Sequence, residues 1–288
     1  MAAKSEIQHH HADVGDVTLH YITAGQGPPI VLLHGWPQTW YEWRLMIPSL
    51  ASRYTVIAPD MRGLGDSSRP LEGYDKKTVA ADIWRLVHDH LGYAKFHLAG
   101  HDWGGPTAFA LAAAHPEAVS RLAIVDVVIP GDGGDFSQGG RRWHHQFHMT
   151  ADLPEALIGG RERIYLQWFY RTFAYDPCAI DDAAIDEFVR TYAQPGALRA
   201  GFAYYRAIGQ DAADNAALLA SGFRLPMPVL AVGGGTSYPH GRGRGSDVEA
   251  SMKRVAENVR GAVIEDCGHF VPEEKPDELA RLFLEFFD

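Results

Sequence analysis

The chain has 288 residues, of which 46% are hydrophobic, 22% charged and 11% aromatic. That is the make-up of an ordinary globular protein with room for one α/β domain and an insertion. Its 26 Lys and Arg against 36 Asp and Glu leave a formal net charge of −10, which argues against nucleic acid or an anionic membrane as the main partner and for a small substrate near neutrality.

Met1 to His11 hold no apolar signal segment, so a cytoplasmic protein is expected, and His9-His10-His11 reads as a mobile, solvated terminus. Cys178 and Cys267 can build neither a disulfide framework nor a metal site. No run approaches the ~18 apolar residues of a membrane span.

The first expected strand, Ile30–Leu33, ends in His34-Gly35-Trp36-Pro37. Glycine and proline there let a backbone N–H point into the mouth of the sheet. A second strand, Tyr54–Ala58, is followed by a tight loop, Pro59–Ser67, that reads as a structural turn. A helix is expected from about Lys77 to Leu91, where Val79, Ile83, Leu86 and Val87 share a face.

Phe96–Ala99 is a third strand, and Gly100-His101-Asp102-Trp103-Gly104-Gly105 follows it directly, ahead of a helix from Thr107 to Ala114. This is the G-x-nucleophile-x-G form of a strand-to-helix elbow with Asp as nucleophile. The turn is sharp, so the residues two before and two after the nucleophile must be small. The positive end of the helix favours a carboxylate, and Pro106 fits its first turn. Taken alone, the motif reads equally well as an Asp N-cap. Asp102 as nucleophile, with backbone N–H groups from Trp36 and Trp103 as an oxyanion hole, accounts for both loops at once.

Leu122–Val125 is another strand and carries Asp126 at its end. The strand rhythm then stops. Residues 130–222 read as aromatic-rich helices, a lid inserted between a first core part, 1–129, and a second, 223–288. Strands return at Pro228–Val232 and Ala262–Ile264, and the last is followed by Asp266-Cys267-Gly268-His269-Phe270. Short apolar runs alternating with helices suit a mostly parallel sheet covered on both faces. His269 then lies where the general base of such a fold would sit.

The His34–Pro37, Trp40–Trp43 and Arg62–Ser67 segments, the Gly100–Gly105 elbow and Gly268-His269 together resemble the α/β-hydrolase superfamily, specifically its epoxide hydrolase branch, along essentially the whole chain. The resemblance implies the α/β-hydrolase fold, a mostly parallel central sheet with helices on both faces and an inserted helical lid. It also implies no cofactor and no metal. Many relatives place the triad acid after the strand that corresponds to Pro228–Val232. Here no acid follows until Asp247, which reads as a helix cap, so Asp126 is taken over Asp247.

An aspartate is already ionised at pH 7, so Asp102 would attack an sp³ carbon and form an alkyl-enzyme ester. His269, oriented by Asp126, would then activate water against that ester. An epoxide leaves as an alkoxide and needs an acid. The resemblance assigns that task to lid residues Tyr205 and His144, a His/Tyr pair like that of Cif-like epoxide hydrolases, with His145 and His148 as competitors for the histidine. The expected partners are a small, largely apolar epoxide and water, with neither nucleic acid nor membrane, and a homodimer is the default assembly.

Haloalkane dehalogenation is the alternative, with Trp103 and Trp143 or Trp168 holding the halide. Fluoroacetate dehalogenases carry two arginines at positions matching Trp103 and Pro106, and their absence argues against haloacids. A non-catalytic ligand-binding protein on the same fold is the third reading.

Overall fold

A computed structural model describes residues 6–137, 140, 142–236 and 241–288. Among these residues eight strands form one sheet: β1 (Gln8–Asp13), β2 (Thr18–Ala24), β3 (Pro29–Leu33), β4 (Thr55–Pro59), β5 (Phe96–His101), β6 (Val119–Val125), β7 (Leu225–Gly234) and β8 (Ala256–Ile264). Their order is β1-β2-β4-β3-β5-β6-β7-β8. β2 pairs antiparallel with β1 and β4, and every pairing from β4 to β8 is parallel. The mostly parallel sheet expected from the apolar runs is therefore present.

The runs are continuous because both faces are covered. Val31 and Leu33 of β3 pack with Leu98, Leu122, Ile124 and Val229 against α2 (Lys76–Trp84) and α3 (Gly104–Ala114). Ile30 and Leu32 face the other way, with Ala99, Val125, Leu230 and Val232, toward Trp43, Ile47 and Leu50 of the Trp40–Trp43 turn and α1 (Ile47–Leu50). The expected helix around residues 77–91 is α2 followed by a wider π turn over Arg85–His90. Val79, Ile83, Leu86 and Val87 are all fully buried.

Among the described residues six helices stand between β6 and β7: α4 (Trp143–Met149), α5 (Leu153–Ile158), α6 (Glu162–Phe173), α7 (Asp182–Tyr192), α8 (Ala197–Arg206) and α9 (Ile208–Ala220). Leu166, Phe169, Tyr170, Phe188, Tyr192, Phe202 and Tyr204 join the core cluster that contains α2 and α3. Phe169 and Phe202, at most 1% exposed, each bury the equivalent of several kcal/mol of apolar surface there. After β7 come α10 (Asp247–Val255), α11 (Val271–Glu274) and α12 (Pro276–Phe287). Among the described residues no helix is long and apolar enough to cross a membrane.

The N-terminal histidines depart from expectation. They do not form a solvated tail: His9, His10 and His11 lie in β1, opposite Ile22, Tyr21 and His20. The side chains have partners as well. His9 Nδ1 is 2.9 Å from His20 Nε2, His10 Nε2 is 2.9 Å from Thr23 Oγ1, and His20 Nδ1 donates to Asp60 at 2.7 Å. A run of polar residues on an edge strand carries little hydrophobic signal, so this segment does not stand out in the sequence.

Candidate active site

β5 ends at His101, and α3 starts at Gly104. Asp102 in between has φ +45°, a left-handed conformation that is costly for any residue but Gly. Its neighbours must be small: a Cβ on Gly100 would lie 2.2 Å from Gly104 O, and one on Gly104 would lie 2.1 Å from Leu33 O. Gly35 is under the same constraint from the other side, because a Cβ there would meet Asp102 Cβ at 2.3 Å. Asp102 is thus held clear of the sheet at the N-terminal end of α3, with Trp103 as the helix N-cap.

The Trp36 N–H donates to Asp102 Oδ1 at 2.9 Å, and His269 Nε2 lies 3.4 Å from Asp102 Oδ2. The other ring nitrogen of His269 donates to Asp126 Oδ2 at 2.7 Å. Asp126 is fully buried, and its second oxygen accepts the backbone N–H groups of Gly234 (2.9 Å) and Arg244 (2.6 Å). Asp247, the other candidate acid, starts α10, and its N–H donates to Arg244 O at 3.0 Å. Burial works against the Asp102 anion, but the hydrogen bond and charge of His269, with help from His101 and Trp36 N–H, hold its carboxyl well below the usual range. Asp102 is therefore ionised at every ordinary pH.

A cavity over Asp102 is lined by Trp36, Pro37, Arg142, His144, Phe169, Phe173, Tyr205, Arg242, His269 and Phe270. The strand ends supply Asp102 and His269, and α4, α6 and α8 supply the aromatic wall and the polar pair. Burial, then the charge of Asp102, pushes the Tyr205 phenol well above its usual pKa. Burial, then His145 and Arg142, pushes His144 well below its own. Tyr205 is therefore a neutral phenol and His144 a neutral imidazole near pH 7, so both keep one proton to give.

Of the competing lid histidines, His148 is bonded through Nε2 to Tyr165 Oη at 2.6 Å, and neither it nor His145 lines the cavity. Tyr204 donates to Arg62 O at 2.9 Å. Trp103, Trp143 and Trp168, the indoles considered as halide donors, are not among the lining residues either. Trp143 and Trp168 are 45% and 43% exposed.

Four site residues escaped the sequence reading. Glu42 and His101 sit inside motifs quoted above, and both are fully buried behind the nucleophile. Arg142 directly precedes the histidine-rich turn of α4, and Arg242 lies in the glycine-rich loop after β7. Nothing in their spacing marks either arginine as facing the pocket. Their arrival there weakens the argument against anionic substrates drawn from Trp103 and Pro106. The Pro59–Ser67 loop is structural: Asp60 accepts from Trp40 N–H (2.8 Å), Asp66 N–H (3.0 Å) and His20. His20, Asp60 and Asp66 offer potential ligand atoms within 4.8 Å of one another, but Asp66 is engaged by Arg190 at 2.6 Å.

An elbow-borne aspartate, a histidine on the loop after the last strand and an acid after β6 define a hydrolase-type site on an α/β sheet. A family model described as the alpha/beta hydrolase fold matches residues 28–183, and the chain belongs to that family. It is 43% identical to a soluble epoxide hydrolase of Corynebacterium sp. over 98% of both chains. It is 32% identical to a fluoroacetate dehalogenase of Burkholderia sp., over 95% of this chain and 91% of the other. The crystal structure of Cfl2 from Burkholderia cenocepacia superposes with a TM-score of 0.90 at 43% identity, covering 100% of this chain and 98% of that one.

Proposed function

We propose that this chain is an epoxide hydrolase that makes a vicinal diol through an alkyl-enzyme ester on Asp102. The observation that carries this reading is the bridging position of His269, 3.4 Å from Asp102 on one nitrogen and 2.7 Å from Asp126 on the other, beneath a cavity that also holds His144 and Tyr205. The likeness to the Corynebacterium enzyme supports it.

Asp102 attacks one epoxide carbon; the C–O bond of the ring breaks as the ester bond forms. The leaving alkoxide takes a proton from Tyr205, with His144 as the second donor to the ring oxygen. His269 cannot attack in place of Asp102, because Asp126 fixes its ring as a proton carrier. It takes a proton from water as the water oxygen bonds to Cγ of Asp102. The backbone N–H groups of Trp36 and Trp103 hold the oxyanion that forms on that carboxyl. Collapse expels the second alkoxide, which takes the proton from His269 and leaves as the diol. The proton of the new carboxyl group returns to the Tyr205 phenolate, and Asp102 is again a carboxylate, now containing the water oxygen.

Residues 130–222 act as the cap that carries the acid pair, over a core made of 1–129 and 223–288. The cap supplies the chemistry that separates an epoxide from a halide, since only the former leaves as a strong base. The assembly proposed is a cytoplasmic homodimer that needs no cofactor.

The test is incubation with styrene oxide, 1-bromobutane and bromoacetate. Phenylethanediol from the first supports the reading. Bromide from either halide, with no diol from the epoxide, overturns it in favour of dehalogenation.

A further inference from the structure

Three histidines outside the active site share one face at the edge of the sheet. Successive residues of a strand point to opposite faces, so His9 and His11 of β1 stand on one side and His10 on the other. His20 is directly opposite His11 on β2 and therefore joins the His9 and His11 side. His9 Nδ1 lies 2.9 Å from His20 Nε2, and the rings of His9 and His11 are each 5.2 Å from that of His20. None of the three lines the cavity over Asp102.

His20 is held as a metal-ligating histidine is held. Its Nδ1 donates to Asp60 at 2.7 Å, and Asp60 is itself fixed by the N–H groups of Trp40 and Asp66. A carboxylate on one ring nitrogen sets the tautomer and leaves a lone pair on the other, the arrangement that orients imidazoles toward metal ions. His20 is buried, so its Nε2 lone pair points in one fixed direction, at His9.

Two nitrogens each ~2.0–2.1 Å from one zinc ion stand roughly 3.3 Å apart at a tetrahedral angle and about 2.9 Å apart at a right angle. The 2.9 Å between His9 and His20 already falls at the short end of that span. As a hydrogen bond the contact uses the His9 Nδ1 proton. When His9 carries its single proton on Nε2 instead, both facing nitrogens offer lone pairs. His9 and His11 are exposed, so their rings can turn toward an ion without leaving a packed core. Ligand atoms of His20, Asp60 and Asp66 lie within 4.8 Å of one another, so two carboxylates stand by to offset divalent charge while Asp66 keeps Arg190.

We propose that His9, His11 and His20 form a site for a divalent ion of the zinc, nickel and copper group, which ties β1 to β2. Imidazole ligands favour those ions over magnesium and calcium. The tie falls where the fold needs one, because β1 is the outermost strand of the sheet and its polar residues give it little apolar surface to bury. The role is structural, and the ester chemistry at Asp102 does not pass through this site.

The intact protein, dialysed against EDTA, is titrated by calorimetry with zinc sulfate and with magnesium sulfate. One zinc ion per chain, and no magnesium, is expected. His9→Gln and His11→Gln should each weaken zinc binding roughly ten-fold or more, since a lost ligand costs no less than a lost orienting partner. His10→Gln should stay within about two-fold, because that side chain stands on the other face, 2.9 Å from Thr23 Oγ1. Thermal unfolding in EDTA shows that each variant is folded. Zinc should then raise the midpoint of the wild type and of His10→Gln more than those of the other two.

No saturable zinc binding to the wild type, or wild-type affinity in either His9→Gln or His11→Gln, overturns the site. Equal weakening by all three substitutions also overturns it, because interchangeable histidines are the mark of a solvated tail.

Discussion

The ring of His101 lies 2.8 Å through Nε2 from the backbone oxygen of His269, so the residue before the proposed nucleophile holds the loop of the proposed base. Its other nitrogen is 3.2 Å from Glu42 Oε2. Both partners only accept, so both ring nitrogens must donate, and His101 is an imidazolium. The same Glu42 oxygen accepts the Gly35 N–H at 3.3 Å. One buried ion pair therefore links the loop that presents Trp36, the elbow and the histidine loop. Burial pulls the His101 pKa down, but Glu42, then Asp102 and the His269 carbonyl, bring it up to about 9.

That pair makes stability depend on pH in a defined direction. The folded-state pKa of His101 is above its unfolded value of 6.5, so its contribution is complete below pH 6.5 and is lost as pH rises through about 9. Thermal unfolding between pH 6 and pH 10 should show the wild type losing stability toward alkaline pH. His101→Gln should be less stable at pH 6 and show a flatter profile over the same range. Equal slopes would contradict the assignment.

The acid of the triad is open to direct substitution. Asp126→Asn should lower kcat by about 10³–10⁴-fold, because the amide can no longer orient His269 or stabilise its charge. Asp247→Asn should leave kcat within about three-fold, since the Asp247 N–H closes the turn before α10 on Arg244 O while Asp126 is the acid bonded to His269. A silent Asp126→Asn refutes the arrangement.

Tyr205 and His144 should matter for ring opening and not for a halide. Tyr205→Phe is expected to slow diol formation from styrene oxide about 10²-fold. His144→Phe should cost less, because Tyr205 remains as a donor. An effect on ester hydrolysis instead of ester formation, read by single-turnover kinetics, would move both residues out of the acid role.

Gly35→Ala tests the fit of the elbow. The added methyl would stand 2.3 Å from Asp102 Cβ, and neither backbone can yield without losing the Trp36 hydrogen bond at 2.9 Å. Loss of most activity and a destabilisation of about 1–3 kcal/mol are expected. A crystal structure of the variant with Asp102 unmoved would contradict the argument.

Residues constrained by short-range geometry were legible in the sequence. Gly100, Asp102 and Gly104 follow from what a strand-to-helix turn can accommodate. β3, β5, β6 and β7 were legible because residues covered on both faces make unbroken apolar runs. β1 was not, since its three consecutive histidines sit in a polar run and gain their order from partners on β2. Arg142 and Arg242 were not, because which way a loop arginine points depends on chain folding 100 residues apart. Glu42 and His101 were visible as motif members, but their pairing, between the Trp40–Trp43 turn and the end of β5, is a tertiary fact.

The central claim, an ester on Asp102 cleaved at its carbonyl carbon, is tested most directly by a single turnover in heavy-oxygen water with enzyme in excess over epoxide. Mass spectrometry of the peptide containing Asp102 should show one heavy oxygen in the protein and none in the diol. A heavy oxygen found only in the diol would mean that water attacks the epoxide directly, and the covalent account would be wrong.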